Sequence, residues 1–391
     1  MSTLLTWLFG RLPIGWLQLS HNRMRLVAAV AGVAFANLLV FLQLGILGAL
    51  NGATVAPYAL LNADIMISAT DTHTLTDGSN IARARMFQAL GVPGVASAMP
   101  LFLGTLEFKL PDGSVSKLQT FGFDVERPGF AAPEVAALLP GLETENSAII
   151  DTKSRGIPKT AFAGLLAGKP FAFEVNGHTL STIGSLAIGG GFTADGTLIV
   201  SDQTFLRLFP NRSSGAPNHI LLKLNDGAAL PVVLNRLRAV LPVESVMVRS
   251  LKDAAYADYA YQTTQRPTGI IFGFGVLIGV IVGIVIVYQV LSTDVADHLR
   301  EYATFKAMGY PQRFFLGIVF EEAIILAIFG FIPGFLVSLG LYAGLRAASG
   351  LPVLMDPPRA IMVFVGTLVA CAISGVIATR RLAAADPADL F

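Results

Sequence analysis

Hydrophobic and polar positions divide this chain into two regimes. Apolar runs extend from Leu26 to Leu50, Thr268 to Leu291, Phe314 to Leu345 and Ala360 to Thr379, charged only at Glu321 and Glu322. Each reaches the roughly 20 residues a helix needs to cross a bilayer, so four spans are expected at 26–50, 267–292, 313–345 and 360–379. No run of that length occurs between Asn51 and Arg266. The expected fold is therefore a membrane α-helical protein with four transmembrane helices. A large α+β extracytoplasmic domain, residues 51–266, is inserted between the first span and the second.

Within that domain the period shortens. ADIMISA, LGTLEFKL, KLQTFGFD, SAIID, FAFEV, TLIVSD, HILLKL and SVMVRS have the lengths and apolar content of strands. LPDGS and VNGHT supply the glycines that tight hairpin turns use. IARARMFQAL, SDQTFLRLF and AALPVVLNRLRAVL carry helical periodicity. A division into a membrane-proximal lobe (57–124 with 218–250) and an inserted lobe (125–217) follows from the placing of strands and helices. SLKDAAYADYAYQTTQR is expected to run as a helix into the second span, with Tyr256, Tyr259 and Tyr261 at the membrane surface.

The second span is followed at once by STDVADHLREYATFKAMGYP. Here Val295, Leu299, Tyr302 and Phe305 recur at helical spacing, and Asp294, Asp297, Arg300, Glu301 and Lys306 supply charge. Gly309 with Pro311 close behind is a stop signal. The segment 293–312 thus predicts a short amphipathic helix outside the lipid, shaped to dock on another protein. Gly275, Gly279 and Gly283 lie four residues apart on one face of the second span, which suits close approach of another helix; the plainer alternative is that glycine is simply common in membrane helices. The third span carries Glu321 and Glu322. Charge within a span is costly, and a structural place near the cytoplasmic headgroups is favoured over a proton relay, because adjacent carboxylates point to different faces. Pro333, between Gly330 and Gly334, predicts a kink.

Composition agrees with the pattern: 53% of residues are hydrophobic and 14% charged, far more apolar than a soluble domain. The net charge of +1 argues against nucleic acid as a partner. Residues 51–266 hold 17 Lys and Arg against 18 Asp and Glu, so that domain is no electrostatic trap. The one cysteine, Cys371, excludes an intrachain disulfide. Charge sets the topology. Arg11, Arg23 and Arg25 precede the first span, no acidic residue appears before Asp64, and Arg380 and Arg381 follow the last span. The positive-inside rule then places both termini in the cytoplasm. Residues 1–25, with Trp7 and Trp16, read as an amphipathic segment in the headgroup layer. The first run reads as an uncleaved signal anchor. The 346–359 segment reads as a short periplasmic loop and 380–391 as a cytoplasmic tail.

Motifs for chemistry are missing. The chain has no GxxxxGK[ST] phosphate loop, no HExxH and no GxSxG elbow. His21, His73, His178, His219 and His298 are scattered in sequence, so neither a metal site nor catalysis is expected.

EYATFKAMGYPQRFFLGIVFEEAIIL resembles the permeases of the MacB-type, FtsX-like branch of ABC transporters. PIGWLQLSHNRMRLVAAVAGVAFANLLVFLQLG, EYATFKAMGY and RRLAAADPADLF are similar to the DevC-like subfamily, named from the heterocyst glycolipid exporter. The resemblance covers the membrane region; across 51–266 it is one of layout. It implies a multi-pass permease of the bacterial inner membrane, working as a homodimer with two copies of a separate ABC ATPase that binds ATP and Mg. It further implies a membrane-fusion (HlyD-like) adaptor, a TolC-like outer-membrane channel, and export of a lipid-like cargo by mechanotransmission. Carried onto this chain, residues 294–309 become the coupling helix, with Tyr302, Phe305 and Met308 as apolar contacts and Arg300, Glu301 and Lys306 as polar ones. A lipoprotein-releasing permease and a non-transporting relay controlling a cell-wall hydrolase are the alternatives within the same layout.

Overall fold

The computed structural model describes residues 14–109, 115–157, 159–166 and 169–384. Trp7, Arg11, the LPDGS turn and the end of the tail from residue 385 lie outside them. In chain order the helices are α1 (Ile14–His21), α2 (Arg23–Val55), α3 (Ala84–Leu90), α4 (Pro133–Ala136), α5 (Lys159–Leu166) and α6 (Asp202–Leu208). They continue with α7 (Leu230–Val240), α8 (Leu251–Thr264), α9 (Pro267–Asp297), α10 (Leu299–Ala307), α11 (Gln312–Ser349) and α12 (Pro357–Ala384). The strands are β1 (Ile65–Ala69), β2 (Val95–Lys109), β3 (Val115–Phe123), β4 (Ser147–Asp151), β5 (Ala172–Val175), β6 (His178–Leu186), β7 (Gly196–Ser201), β8 (His219–Leu224) and β9 (Val246–Ser250). The chain divides into two compact units. One takes in the chain up to Gly48, Ile270–Ala347 and the chain from Val353; the other takes in Ala49–Gly269 and Ala348–Pro352.

The first unit is a helix bundle. Among the described residues four helices, α2, α9, α11 and α12, are long and apolar enough to cross a membrane. Small residues set how closely they pack, since a missing side chain lets backbones approach. A Cβ on Gly275, Gly279 or Gly283 of α9 would come within 2.4 Å of Gln43, 2.9 Å of Val40 and 3.3 Å of Ala36, all on α2. On α11, Gly330 meets Val33 and Gly334 meets the Ala34 carbonyl in the same way. Polar side chains tie α12 in: Thr367 Oγ1 donates to Asn37 Oδ1 at 2.6 Å, and Ser374 Oγ donates to the Ile284 carbonyl at 2.9 Å. The outer faces carry exposed Ile271, Phe274, Ile278, Leu336, Val337, Ile361 and Val365. Helix α11 runs unbroken through Pro333.

The second unit is built on one mixed sheet in the order β5-β6-β4-β7-β3-β2-β8-β1-β9. β3 with β7 and β4 with β6 are parallel, and the other pairs are antiparallel. Alternation along each strand fills both faces. Ile65, Ile67, Ile220 and Leu222 pack with Met86 of α3 and Leu237 of α7, whereas Met66 and Leu221 join Phe121, Ile149 and Ile199 on the other face. Phe102, Leu118, Ile150 and Leu198 pack with Phe205 of α6. Ser201 and Ser250 cap α6 and α8, accepting from the backbone N–H three residues on. VNGHT forms a two-residue hairpin in which Asn176 and Gly177 both have positive φ (50° and 75°), as a type I′ turn requires.

The structure departs from the expected organisation in three places. The proposed two lobes share one sheet, because the 15-residue β2 pairs with β8 through its first half and β3 through its second. β6, which is not among the expected strands, is held between β4 and β5 and buries Leu180. Finally, α8 does not run into the second apolar helix: Gln265 and Arg266 both bond back to the Tyr261 carbonyl, and Pro267 starts α9 afresh.

Candidate functional site

The amphipathic segment after the second apolar helix is divided by the structure. α9 continues to Asp297, turns at His298, whose N–H and Nδ1 both contact the Asp294 carbonyl, and α10 begins at Leu299. It ends in a Schellman motif: Gly309 N–H bonds to the Lys306 carbonyl at 3.0 Å and Tyr310 N–H to the Phe305 carbonyl at 3.1 Å. Gly309 carries the positive φ (91°) this cap demands, and the Phe305 and Tyr310 rings lie 5.6 Å apart across it. The sequence AMGYP thus folds as a tight reversal into α11.

The apolar stripe on this helix faces its own chain. Val295 and Tyr302 are each 1% exposed and belong to one core with Leu19, Phe315, Ile318 and Val319, and Leu299 packs against them. The Tyr302 ring meets Phe315 edge-on at 5.7 Å, and its hydroxyl donates to Gln18 Oε1 of α1 at 3.1 Å. Burial pushes the Tyr302 phenol well up. Phe305 is half-buried against Phe314 and Tyr310. Glu301, Thr304, Met308, Gly309 and Tyr310 remain outward, with Lys306 half-buried. The backbone of Arg300 lies on α10 between Leu299 and Glu301. The expectation that Val295, Leu299 and Tyr302 form a docking face is corrected: they anchor the helix, and the outward apolar surface is the Met308–Tyr310 tip.

Beneath this helix lies a buried acidic group that sequence reading placed elsewhere. Glu321 and Glu322 are 2% and 0% exposed, so they face protein and not headgroups. The covering element is α1: Trp16 N–H donates to Glu321 Oε1 at 3.3 Å, Gly15 sits so close that a Cβ would lie 2.9 Å from Glu322 Cγ, and Trp16 stacks on Phe329 at 5.7 Å. The described part of the N-terminal segment is therefore part of the bundle. Asp294, also buried, is 3.7 Å from both Arg25 and His298, and Arg25 makes a second ion pair with Asp297 at 2.5 Å. Arg25 was legible as a basic flank, but its partners lie 269 and 272 positions along the chain and carried no signal in the sequence. Among the described residues no group of three or more His, Cys, Asp or Glu side chains is placed to hold a metal ion.

Residues 273–387 match the family model described as the FtsX-like permease C-terminal, a stretch that contains all of α10 and α11. With its four apolar helices, this makes the chain a multi-pass membrane protein. No curated protein matches it. Solved structures similar to it include the periplasmic region of MacB from Actinobacillus actinomycetemcomitans, at 10% identity and TM-score 0.32, covering 50% of this chain and 92% of that one. The extracellular domain of the noncanonic ABC-type transporter YknZ from Gram-positive bacteria aligns at 12% identity and TM-score 0.32, covering 48% of this chain and 98% of that one. A domain of a putative permease from Porphyromonas gingivalis aligns at 14% identity and TM-score 0.28, covering 48% and 86%.

Proposed function

We propose that this chain is the membrane permease subunit of an ABC-type export system, driven by a separate ATPase that docks on the tip between α9 and α11. The observation that carries this reading is the FtsX-like match across 273–387, which encloses a short helix anchored by Tyr302 and presenting Met308 and Tyr310 outward. An anchored helix with an exposed apolar tip transmits force, because displacement of the tip must move the α9 and α11 helices to which it is bonded. Glu301 and Lys306 supply polar contacts to the ATPase, and ATP and Mg belong to that partner. The Asn51 to Arg266 domain works outside the cytoplasm, coupled to a membrane-fusion adaptor and an outer channel, and the chain functions as a homodimer expelling a lipid-like or hydrophobic cargo.

The test is affinity purification of the chain from its native membrane with quantification of the ATPase that stays bound. Met308→Asp with Tyr310→Asp changes two exposed side chains and is expected to abolish ATPase retention while leaving membrane insertion intact. Retention equal to that of the unaltered chain would overturn the assignment of the tip.

A further inference from the structure

Two carboxyl groups face each other in the core of the first unit, under α10, and the coupling scheme uses neither. Glu322 of α11 is 0% exposed and Asp294 of α9 is 2% exposed, and their side chains meet at hydrogen-bonding range. Among the described residues no donor reaches either Glu322 oxygen or Asp294 Oδ2. Arg25 supplies one positive charge, 3.7 Å from Asp294 Oδ1, and shares it with Asp297 at 2.5 Å. Two ionised carboxylates offer each other only lone pairs and like charge. With one proton between them the same contact becomes an O–H···O⁻ hydrogen bond, which is short and strong. The other titratable groups nearby are engaged elsewhere. Glu321 accepts from Trp16 N–H at 3.3 Å, and the Tyr302 hydroxyl donates to Gln18 at 3.1 Å. His298 Nδ1 is 3.7 Å from Asp294 Oδ2, beyond hydrogen-bonding distance, and contacts the Asp294 carbonyl at 3.0 Å. Glu301 of α10 points outward with Lys306 half-buried on the same helix, α1 carries no acid or base before the exposed His21, Arg23 of α2 is exposed, and α12 brings Cys371 to this core.

We propose that Glu322 and Asp294 bind one proton between them, and that this proton keeps α1 closed over the junction of α9 and α11. A proton needs no cavity, which suits oxygens that are fully buried. The backbone lying against Glu322 is that of Gly15 in α1, where a Cβ would stand 2.9 Å from Glu322 Cγ. When the proton passes to water, two like charges remain in contact in a dry core, and they are relieved only if water reaches them. The element that yields is α1, with 8 residues, because α9 and α11 run for 31 and 38 residues through the bundle. The closed form then holds a proton that the opened, hydrated pair gives up, so closure weakens as pH rises, about tenfold per pH unit for one proton, until the closed pair itself ionises. The site lies wholly within the first unit and stands whether or not the tip of α10 docks an ATPase.

The full chain, reconstituted in nanodiscs, is read in two ways. Infrared spectra at neutral pH in light and heavy water are expected to show a carboxylic-acid C=O band that shifts on deuteration and is missing from Glu322→Gln. Hydrogen exchange of the α1 amides, corrected for intrinsic rates, is expected to lose protection about tenfold per pH unit above the ordinary carboxyl range. Glu322→Gln puts an N–H donor in the proton's place at the same net charge, so α1 stays protected and the pH slope disappears. His298→Gln removes the one imidazole beside Asp294 and is expected to leave both the band and the slope as they are. A missing acid band, a flat exchange profile in the unaltered chain, a band or slope that survives Glu322→Gln, or a slope that disappears with His298→Gln overturns the proposal.

Discussion

The packing of α11 on α2 makes a prediction that can be worked through from distances. A Cβ at Gly334 would stand 2.8 Å from the Ala34 carbonyl oxygen, 3.0 Å from Asn37 Cβ and 3.3 Å from Ala34 Cα. The first and third are backbone atoms, so no side-chain rotation relieves the overlap. The two helices must separate, and a gap of about 0.5 Å forfeits roughly a quarter of the dispersion contact along the seam. Overpacking of this kind costs about 1–3 kcal/mol. Gly→Ala in an open helix position instead gains about 1 kcal/mol in helix propensity. Gly340 lies six residues further along the same helix with nothing within 4 Å of its Cβ position, so it experiences the gain alone. Gly334→Ala should therefore fall below Gly340→Ala by about 1–3 kcal/mol. The assay is reversible unfolding of the full chain in mixed micelles by titration with denaturing detergent, followed by pulse proteolysis. Equal stability of the two variants would show that α11 and α2 do not approach as closely as these distances require.

Two further outcomes are expected from the same reasoning. Tyr302→Phe removes the hydroxyl that donates to Gln18 and should cost about 0.5–1.5 kcal/mol, measured in that unfolding assay, whereas Tyr302→Ala empties a site in the core under α10 and should cost about 3–5 kcal/mol; a harmless Tyr302→Ala would mean the ring is not an anchor. His219 is fully buried between Ser68 Oγ (2.9 Å) and the Leu75 carbonyl (2.8 Å), and burial lowers its pKa from 6.5 to about 4. Because the folded value is depressed, its stabilising effect is complete above pH 6.5 and is lost as pH falls toward 4, about 3 kcal/mol in all at roughly 1.4 kcal/mol per unit. Asp258 acts in the opposite sense: burial raises it from 3.8 to about 6, so its charge destabilises the fold as pH rises across that interval. The His219 slope is therefore read in an Asp258→Asn background, by hydrogen exchange at β1 and β8 corrected for intrinsic rates. A flat profile from pH 7 to 4 would refute the neutral buried imidazole.

Sequence alone determined what depends on local pattern. Four apolar runs became four long helices because each is long enough to cross a bilayer and, apart from Glu321 and Glu322 in the third, carries no charge, and AMGYP closed α10 because only glycine takes its left-handed position at no steric cost. The α+β character of the second unit was likewise legible in short runs of alternating residues bounded by turn formers. Tertiary structure decided everything that depends on which distant segment arrives. The stripe Val295, Leu299 and Tyr302 announces a buried face but not its partner, which proves to be the chain's own α1 and α11. Glu321 and Glu322 look like headgroup residues until Gly15 and Trp16, some 305 positions earlier, cover them. β6 mixes Leu180, Ile183 and Leu186 with polar residues and is held as a strand because β4 and β5 on either side satisfy its backbone. Periodicity records the fraction of a face that leaves water; only the folded chain specifies what that face meets.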